Sequence, residues 1–311
     1  MFDFSRAQLA GFVLMLAFLI AAPFVLYPFM VMQVMCFAIF ALGANLLMGS
    51  LNLLSLGQAA YFGLGGYLAG YLVESTGLTP ELGLLAAALA GAALGAVFGW
   101  LAIRRQTIYF AMITLALAQI VYFFAVQDTK FTGGENGIQD IPRSALFGLF
   151  SLNNDLAMYA FTAVIFLACF LAVHRIEHSP FGQVVKAIRE NEPRAISLGY
   201  KAEQYKWIIF IQAATLAGIA GGLKAEVTGI ATLSDIGVST SGLVVLMVLL
   251  GGIGTLFGPC LGAFVVIAMQ QYLAPLGGWV VVIQGGIFIA CVLVFRRGLV
   301  GEFAQRFKLA L

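Results

Sequence analysis

The chain has 311 residues, 62% of them hydrophobic and 10% charged, with a formal net charge of +2. That balance excludes a water-soluble domain with a polar surface, and it excludes a strongly basic nucleic-acid-binding face. A transmembrane β-barrel is excluded as well, because its strands would read as alternating segments of about ten residues, whereas the apolar runs here are continuous.

A bilayer core about 30 Å thick takes about 20 helical residues to cross. Runs of that kind recur at 8–27, 29–48, 52–73, 82–103, 107–126, 156–174, 206–225, 238–253, 256–274 and 279–295, predicting an all-α polytopic protein of ten transmembrane helices in one domain, 1–311. The first run follows Phe2-Asp3-Phe4-Ser5-Arg6 and lacks the small-residue cleavage site of a secretory signal, so it reads as a retained helix. Glycine density in 52–73 and 256–274 suits broken or re-entrant segments equally well. Cys36, Cys169, Cys260 and Cys291 fall singly inside predicted helices, with no disulfide framework or metal-binding spacing.

Lys and Arg concentrate in cytoplasmic loops. With both termini inside, Arg6, Arg104, Arg105, Arg175, Lys186, Arg189, Arg194, Lys201, Lys206, Arg296, Arg297, Arg306 and Lys308 are cytoplasmic, and only Lys130, Arg143 and Lys224 are external. The ionisable residues all fall in loops or near the ends of predicted helices, which argues against a carrier driven by protons or sodium through buried carboxylates. Sodium held by backbone carbonyls at broken helices stays possible on this reading. No G-x-x-x-x-G-K-[ST] occurs, so energy for transport would have to arrive from a partner.

Three stretches carry candidate chemistry. Ser55, Gly57, Gln58 and Tyr61 in the third span, with Thr114 and Gln119 in the fifth, include polar groups that would be wasted facing lipid. They suit a translocation path, with hydrogen bonding between helices as the alternative. Gly91, Gly95 and Gly99 read as packing positions. The external connection 127–155 is long and contains Thr132, Gly133, Gly134, Glu135 and Asn136, a run of turn residues.

His174-Arg-Ile-Glu177-His178 satisfies H-x-x-E-H, a zinc-protease pattern, but no third ligand follows at recognisable spacing, and an interfacial helix end explains the same residues. Downstream, Gly182 to Glu192 forms an amphipathic pattern, with Val184, Val185 and Ile188 opposite Lys186, Arg189 and Glu190. Pro193 suits the first turn of a second short helix and Gly199 its end. Two short helices in the cytoplasmic loop 175–206 would make a docking element, while a solvated basic loop is the plainer alternative.

The segment Phe181-Gly182, Ala187-Ile188-Arg189-Glu190-Asn191-Glu192, Ala195 and Gly199 resembles the coupling loop of ABC importer permeases of the branched-chain amino acid type. It departs from the Glu-Ala-Ala form of other importers, having Pro193-Arg194-Ala195 there. Leu42 to Gly49 with Leu54 to Tyr67, Thr114 to Gln119 with Thr132 to Ile138, and Leu249 to Ala263 are similar, in order, to other stretches of that family.

The resemblance implies the permease fold and a non-enzymatic role in an ATP-driven importer of branched-chain or other hydrophobic amino acids, or related small polar solutes. It implies a bacterial inner-membrane location, a second homologous permease, two cytoplasmic ATP-binding subunits carrying ATP and Mg, and a periplasmic binding protein. That protein would meet the Thr132–Asn136 stretch. A self-contained carrier or facilitator is the alternative.

Overall fold

The computed structural model describes residues 6–104, 107–146, 150–152, 154–277, 279–294 and 298–306. Arg105, Arg296, Arg297 and Lys308, four of the cations that set the expected orientation, lie outside the described residues, as do positions 147–149 and 153 of the 127–155 connection. In chain order the helices are α1 (Arg6–Val25), α2 (Pro28–Leu51), α3 (Gln58–Thr76), α4 (Pro80–Ala102), α5 (Thr107–Gln127), α6 (Asp155–Glu177), α7 (Pro180–Glu190), α8 (Glu192–Ser197), α9 (Ala202–Thr228), α10 (Leu233–Ile236), α11 (Val238–Gly251), α12 (Gly258–Leu273), α13 (Trp279–Val294) and α14 (Gly298–Arg306). A two-residue strand pair, Ala145–Leu146 with Phe150–Ser151, interrupts the 127–155 connection.

Helices α1 to α6, α9 and α11 to α13 follow the ten expected spans, with three differences. The 52–73 span opens as an extended segment, because Asn52 adopts a left-handed φ of 55° that ends α2, and α3 starts only at Gln58. The 206–225 span is longer at both ends, since α9 has 27 residues. Third, α1, α2, α4, α5, α6 and α9 are long and apolar enough to cross a bilayer by themselves, whereas α11 has only 14 residues. At 1.5 Å per residue α11 reaches about 21 Å, short of a full crossing. The chain leaves helical geometry at Gly237 between α10 and α11, with ψ at 150°, and α10 turns back into the bundle so that Ile236 occupies the space beside Gly63.

The centre of the bundle is α2 with α9. In the apolar window of α2 89% of residues are buried against 11% in α1, which places α1 at the rim. Helix α9 packs on α2, α3 and α4. Lipid supplies no hydrophobic drive between helices, so such contacts rely on small residues that let backbones approach closely. A Cβ on Gly65 would collide with the Gly218 carbonyl, and one on Gly218 with the Ala87 carbonyl. Gly91, Gly95 and Gly99 of α4 face Ala214 and Phe210 of α9, as the packing reading expects. Leu14, Phe24, Leu85, Ile120 and Val164 are exposed on the outer faces, as side chains solvated by hydrocarbon would be.

Candidate functional site

The α7–α8 pair is built by local signals that the sequence spells out. Ser179 caps α7, its Oγ accepting from the Gly182 N–H at 3.1 Å, and Pro180 occupies the first turn. Gly182 is required because a Cβ there would collide with the Ile176 and Glu177 carbonyls at the end of α6. Val185 and Ile188 are buried, Phe181 stacks on Tyr205 with ring centroids 5.3 Å apart, and Lys186, Ala187 and Glu190 are exposed. Asn191 closes α7 and caps α8, its Oδ1 accepting from the Arg194 N–H at 3.0 Å. Ala195 is buried, and Gly199, at φ 91°, turns the chain toward α9.

Two charged residues of this pair reach back into their own chain. Arg189, which the amphipathic pattern groups with Lys186 and Glu190, donates to the Gly49 carbonyl in the last turn of α2. Glu192 accepts from Lys206 of α9 at 2.6 Å, a pair whose side chains are 27% and 10% exposed. Arg189 stays exposed despite that bond, and the exposed surface of the pair includes Lys186, Glu190 and Arg194 beside it, with three apolar residues, Ile196, Leu198 and Tyr200, which are 55%, 70% and 41% exposed. Sequence reasoning missed these three; the signal was Ile196-Ser-Leu198-Gly-Tyr200, apolar residues around a turn glycine in an otherwise charged segment.

Four of the path candidates come together at the start of α3. The Thr114 hydroxyl accepts from the Leu56 N–H at 3.3 Å, and the Ser55 hydroxyl accepts from the Gly57 N–H at 3.4 Å. Gly57 lies so close to the Thr114 carbonyl that no Cβ would fit, and Gln58 is fully buried with neither amide atom hydrogen-bonded among the described residues. Ser241 of α11 joins them, accepting from the Ala59 N–H at 2.9 Å; nothing in its local sequence announced that contact. Tyr61 stands apart among rings, 6.1 Å from Phe98 and 5.9 Å from Phe210. Gln119 is half-buried further along α5.

In the 127–155 connection, Thr132 is buried and donates to the Ala125 carbonyl at 2.5 Å, while its oxygen accepts from the Gly134 N–H at 3.2 Å. Gly133 and Gly134 take left-handed φ values, and Gly134 is buried, which leaves Glu135 and Asn136 as the exposed members. Ile138 pairs with Ala231 and so ties the connection to the segment after α9. Nearby, ionisable groups at the end of α9 that the sequence places near a helix end are buried. Lys224 donates to Asp235 at 2.7 Å with both side chains largely buried, and Glu226 is 4% exposed with no hydrogen-bond partner among the described residues.

His174 and His178 stack face to face with ring centroids 4.3 Å apart, and His178 Nδ1 lies 2.9 Å from the His174 carbonyl. Among the described residues no group of three or more His, Cys, Asp or Glu side chains is arranged to hold a metal ion. The arrangement is that of a packed helix end.

Comparison with known proteins gives the wider frame. The LivM permease proteins of the high-affinity branched-chain amino acid transport systems of Escherichia coli and Salmonella typhimurium are 28% and 27% identical to this chain, each match covering 92% of it and 74% of the relative. A probable branched-chain amino acid transport permease, LivH, of Methanocaldococcus jannaschii is 24% identical over 86% of the chain and 89% of its own length. No solved structure matches. The profile of the branched-chain amino acid transport system permease component matches residues 26–294, and with the ordered apolar helices it makes this chain a multi-pass membrane permease of that family.

Proposed function

We propose that the chain is the membrane-spanning permease subunit of an ATP-driven importer for branched-chain or other hydrophobic amino acids, or related small polar solutes. The observation that carries this reading is the α7–α8 pair. It is rigidly capped, held to the bundle on one side by Arg189 and Glu192, and shows Ile196, Leu198 and Tyr200 on the other. Exposed apolar side chains beside charged ones are what a docking surface for a protein partner needs. In a chain of this family that partner is one of two cytoplasmic ATP-binding subunits, which carry the ATP and Mg; this subunit catalyses no reaction itself. A second homologous permease completes the membrane unit, in the bacterial inner membrane with both termini cytoplasmic.

Substrate arrives from a periplasmic binding protein at the Thr132–Asn136 turn, where Glu135 and Asn136 are the accessible groups. It passes the cluster of Ser55, Gly57, Gln58, Thr114 and Ser241, whose one side chain without a hydrogen-bond partner is the Gln58 amide. Tyr61, packed among Phe98 and Phe210, and Gln119 on α5 are the remaining path candidates. The chemical class of substrate follows from the relatives, which are named for branched-chain amino acid transport.

The test is affinity purification of the tagged chain in mild detergent from its own cells. ATP-binding subunits and a second permease are expected to co-purify, and Leu198→Asp is expected to lose the ATP-binding subunits while keeping the second permease, with affinity reduced tenfold or more, on the order of one interface hot spot. Recovery of the chain without any ATP-binding subunit contradicts the reading. The co-purified binding protein, screened by thermal shift against single amino acids, identifies the substrate.

A further inference from the structure

Three parts of the chain that are far apart in sequence meet at the end of α2. Gly49 lies in the last turn of α2, where the carbonyls have no partner within the helix and the helix dipole favours a cation. The Arg189 guanidinium of α7 takes that place, donating to the Gly49 carbonyl. One turn back, the fully buried Asn45 grips the turn between α11 and α12 at two backbone positions. Its Nδ2 donates to the Thr255 carbonyl at 3.1 Å and its Oδ1 accepts from the Gly254 N–H at 2.9 Å. The turn rides directly on α2, since a Cβ on Gly49 would run into the Gly254 backbone, and Gly254 itself takes a left-handed φ of 76°. At its other end the same turn abuts α14, with Gly252 against Gly298.

These contacts are side chain to backbone or backbone to backbone, and beyond the exposed Arg189 they run through buried Asn45 and closely apposed glycines. A displacement of α7 is thereby handed to the end of α2 and to the turn from which α11 and α12 both emerge. Ser241, on α11, is hydrogen-bonded to the start of α3 beside Gln58, so the same helix reaches the proposed path.

We propose that Arg189 and Asn45 are positioning residues of an internal linkage, which carries the movement of the α7–α8 pair through the Gly252–Phe257 turn to α11 and α12. Arg189 is exposed, and its role in the linkage is carried by its bond to the Gly49 carbonyl within the chain. The proposal rests on the reading of the chain as an ATP-driven permease, and it goes further by separating the residues that dock the motor from those that transmit its motion.

The experiment uses the complete transporter in proteoliposomes with its binding protein, and reads substrate taken up per ATP hydrolysed, beside the ratio of ATP-binding subunit to permease. Arg189→Ala and Asn45→Ala are expected to keep the subunit ratio and ATP hydrolysis near wild type, while uptake per ATP falls about fivefold or more. Arg189→Lys, which keeps a donor, restores part of the loss, and the double variant loses little more than either single one because both cut the same link. Arg189→Ala shedding the ATP-binding subunits would make Arg189 an outward docking contact and overturn the linkage. Wild-type uptake per ATP in both Arg189→Ala and Asn45→Ala overturns it as well. If Arg189→Ala does not assemble, Arg189→Lys and Asn45→Ala decide the matter by the same ratio. A wild-type complex that takes up substrate without hydrolysing ATP removes the ATP-driven reading itself, an outcome distinct from a coupled wild type with coupled variants.

Discussion

At the residue scale, Gly65 and Gly218 mark a close approach of α3, α9 and α4. A side chain on Gly65 has to push the α9 backbone away, because its neighbour is a carbonyl, which cannot rotate aside as the tip of a long side chain does. Gly65→Val is expected to destabilise the detergent-solubilised chain by about 1–3 kcal/mol, the range for overpacking a close-packed interior. Gly242 is the control: it sits inside α11 with nothing within 4 Å of an added Cβ. Gly242→Ala is expected to leave the unfolding temperature unchanged or slightly raised, since alanine costs the helix less than glycine. Thermal unfolding of both variants checks the contrast, and equal losses would show that crowding at Gly65 is not the cause. The Gly91, Gly95 and Gly99 trio was readable as packing because its spacing keeps one helix face. The placement of Tyr61 among Phe98 and Phe210 was not readable, because those rings come from α4 and α9 and no local pattern encodes which helix will face it.

At the element scale, the α7–α8 pair was almost fully legible. A capping serine, Pro180, a buried stripe, Asn191, Pro193 and Gly199 all act locally, so a short stretch of sequence contains the reasons for its shape. What the pattern left out is long-range: Arg189 sits on the polar side of the wheel yet finds a carbonyl on α2, and Glu192 finds Lys206 after the chain has turned. The second contact makes a definite prediction. Glu192→Ala leaves the Lys206 ammonium largely buried without its carboxylate, so it is expected to cost about 1–3 kcal/mol once partial exposure is allowed for. The double variant Glu192→Ala, Lys206→Met is expected to recover most of that loss, because the unpaired charge is gone. A double variant as unstable as the single one in thermal unfolding would mean that Glu192 acts through something other than this pair. The four-residue α10 escaped the sequence because it is too short for a hydropathy window, whereas α11, Val238–Gly251, lies within the expected 238–253 span.

At the scale of the whole molecule, the bundle separates surfaces by kind. Apolar rims on α1, α4, α5 and α6 face outward, and a tightly apposed glycine-rich interior holds α2 and α9. Lys186, Arg189, Glu190 and Arg194 of the α7–α8 pair are exposed. The ionisable groups that are buried are accounted for differently. Lys224 and Asp235 neutralise one another, and the Glu226 carboxyl lies beside Gly83 of α4. The proposed function sets the source of work in another chain and the handle for it on α7 and α8. The most direct measurement is uptake of radiolabelled leucine, isoleucine or valine into proteoliposomes holding the purified complex and its binding protein, with and without ATP inside the vesicle lumen that faces α7 and α8. The account predicts uptake that needs both ATP and the binding protein and that stops when the ATP-binding subunits are omitted; uptake by this chain and its paired permease alone, driven only by the substrate gradient, would contradict it.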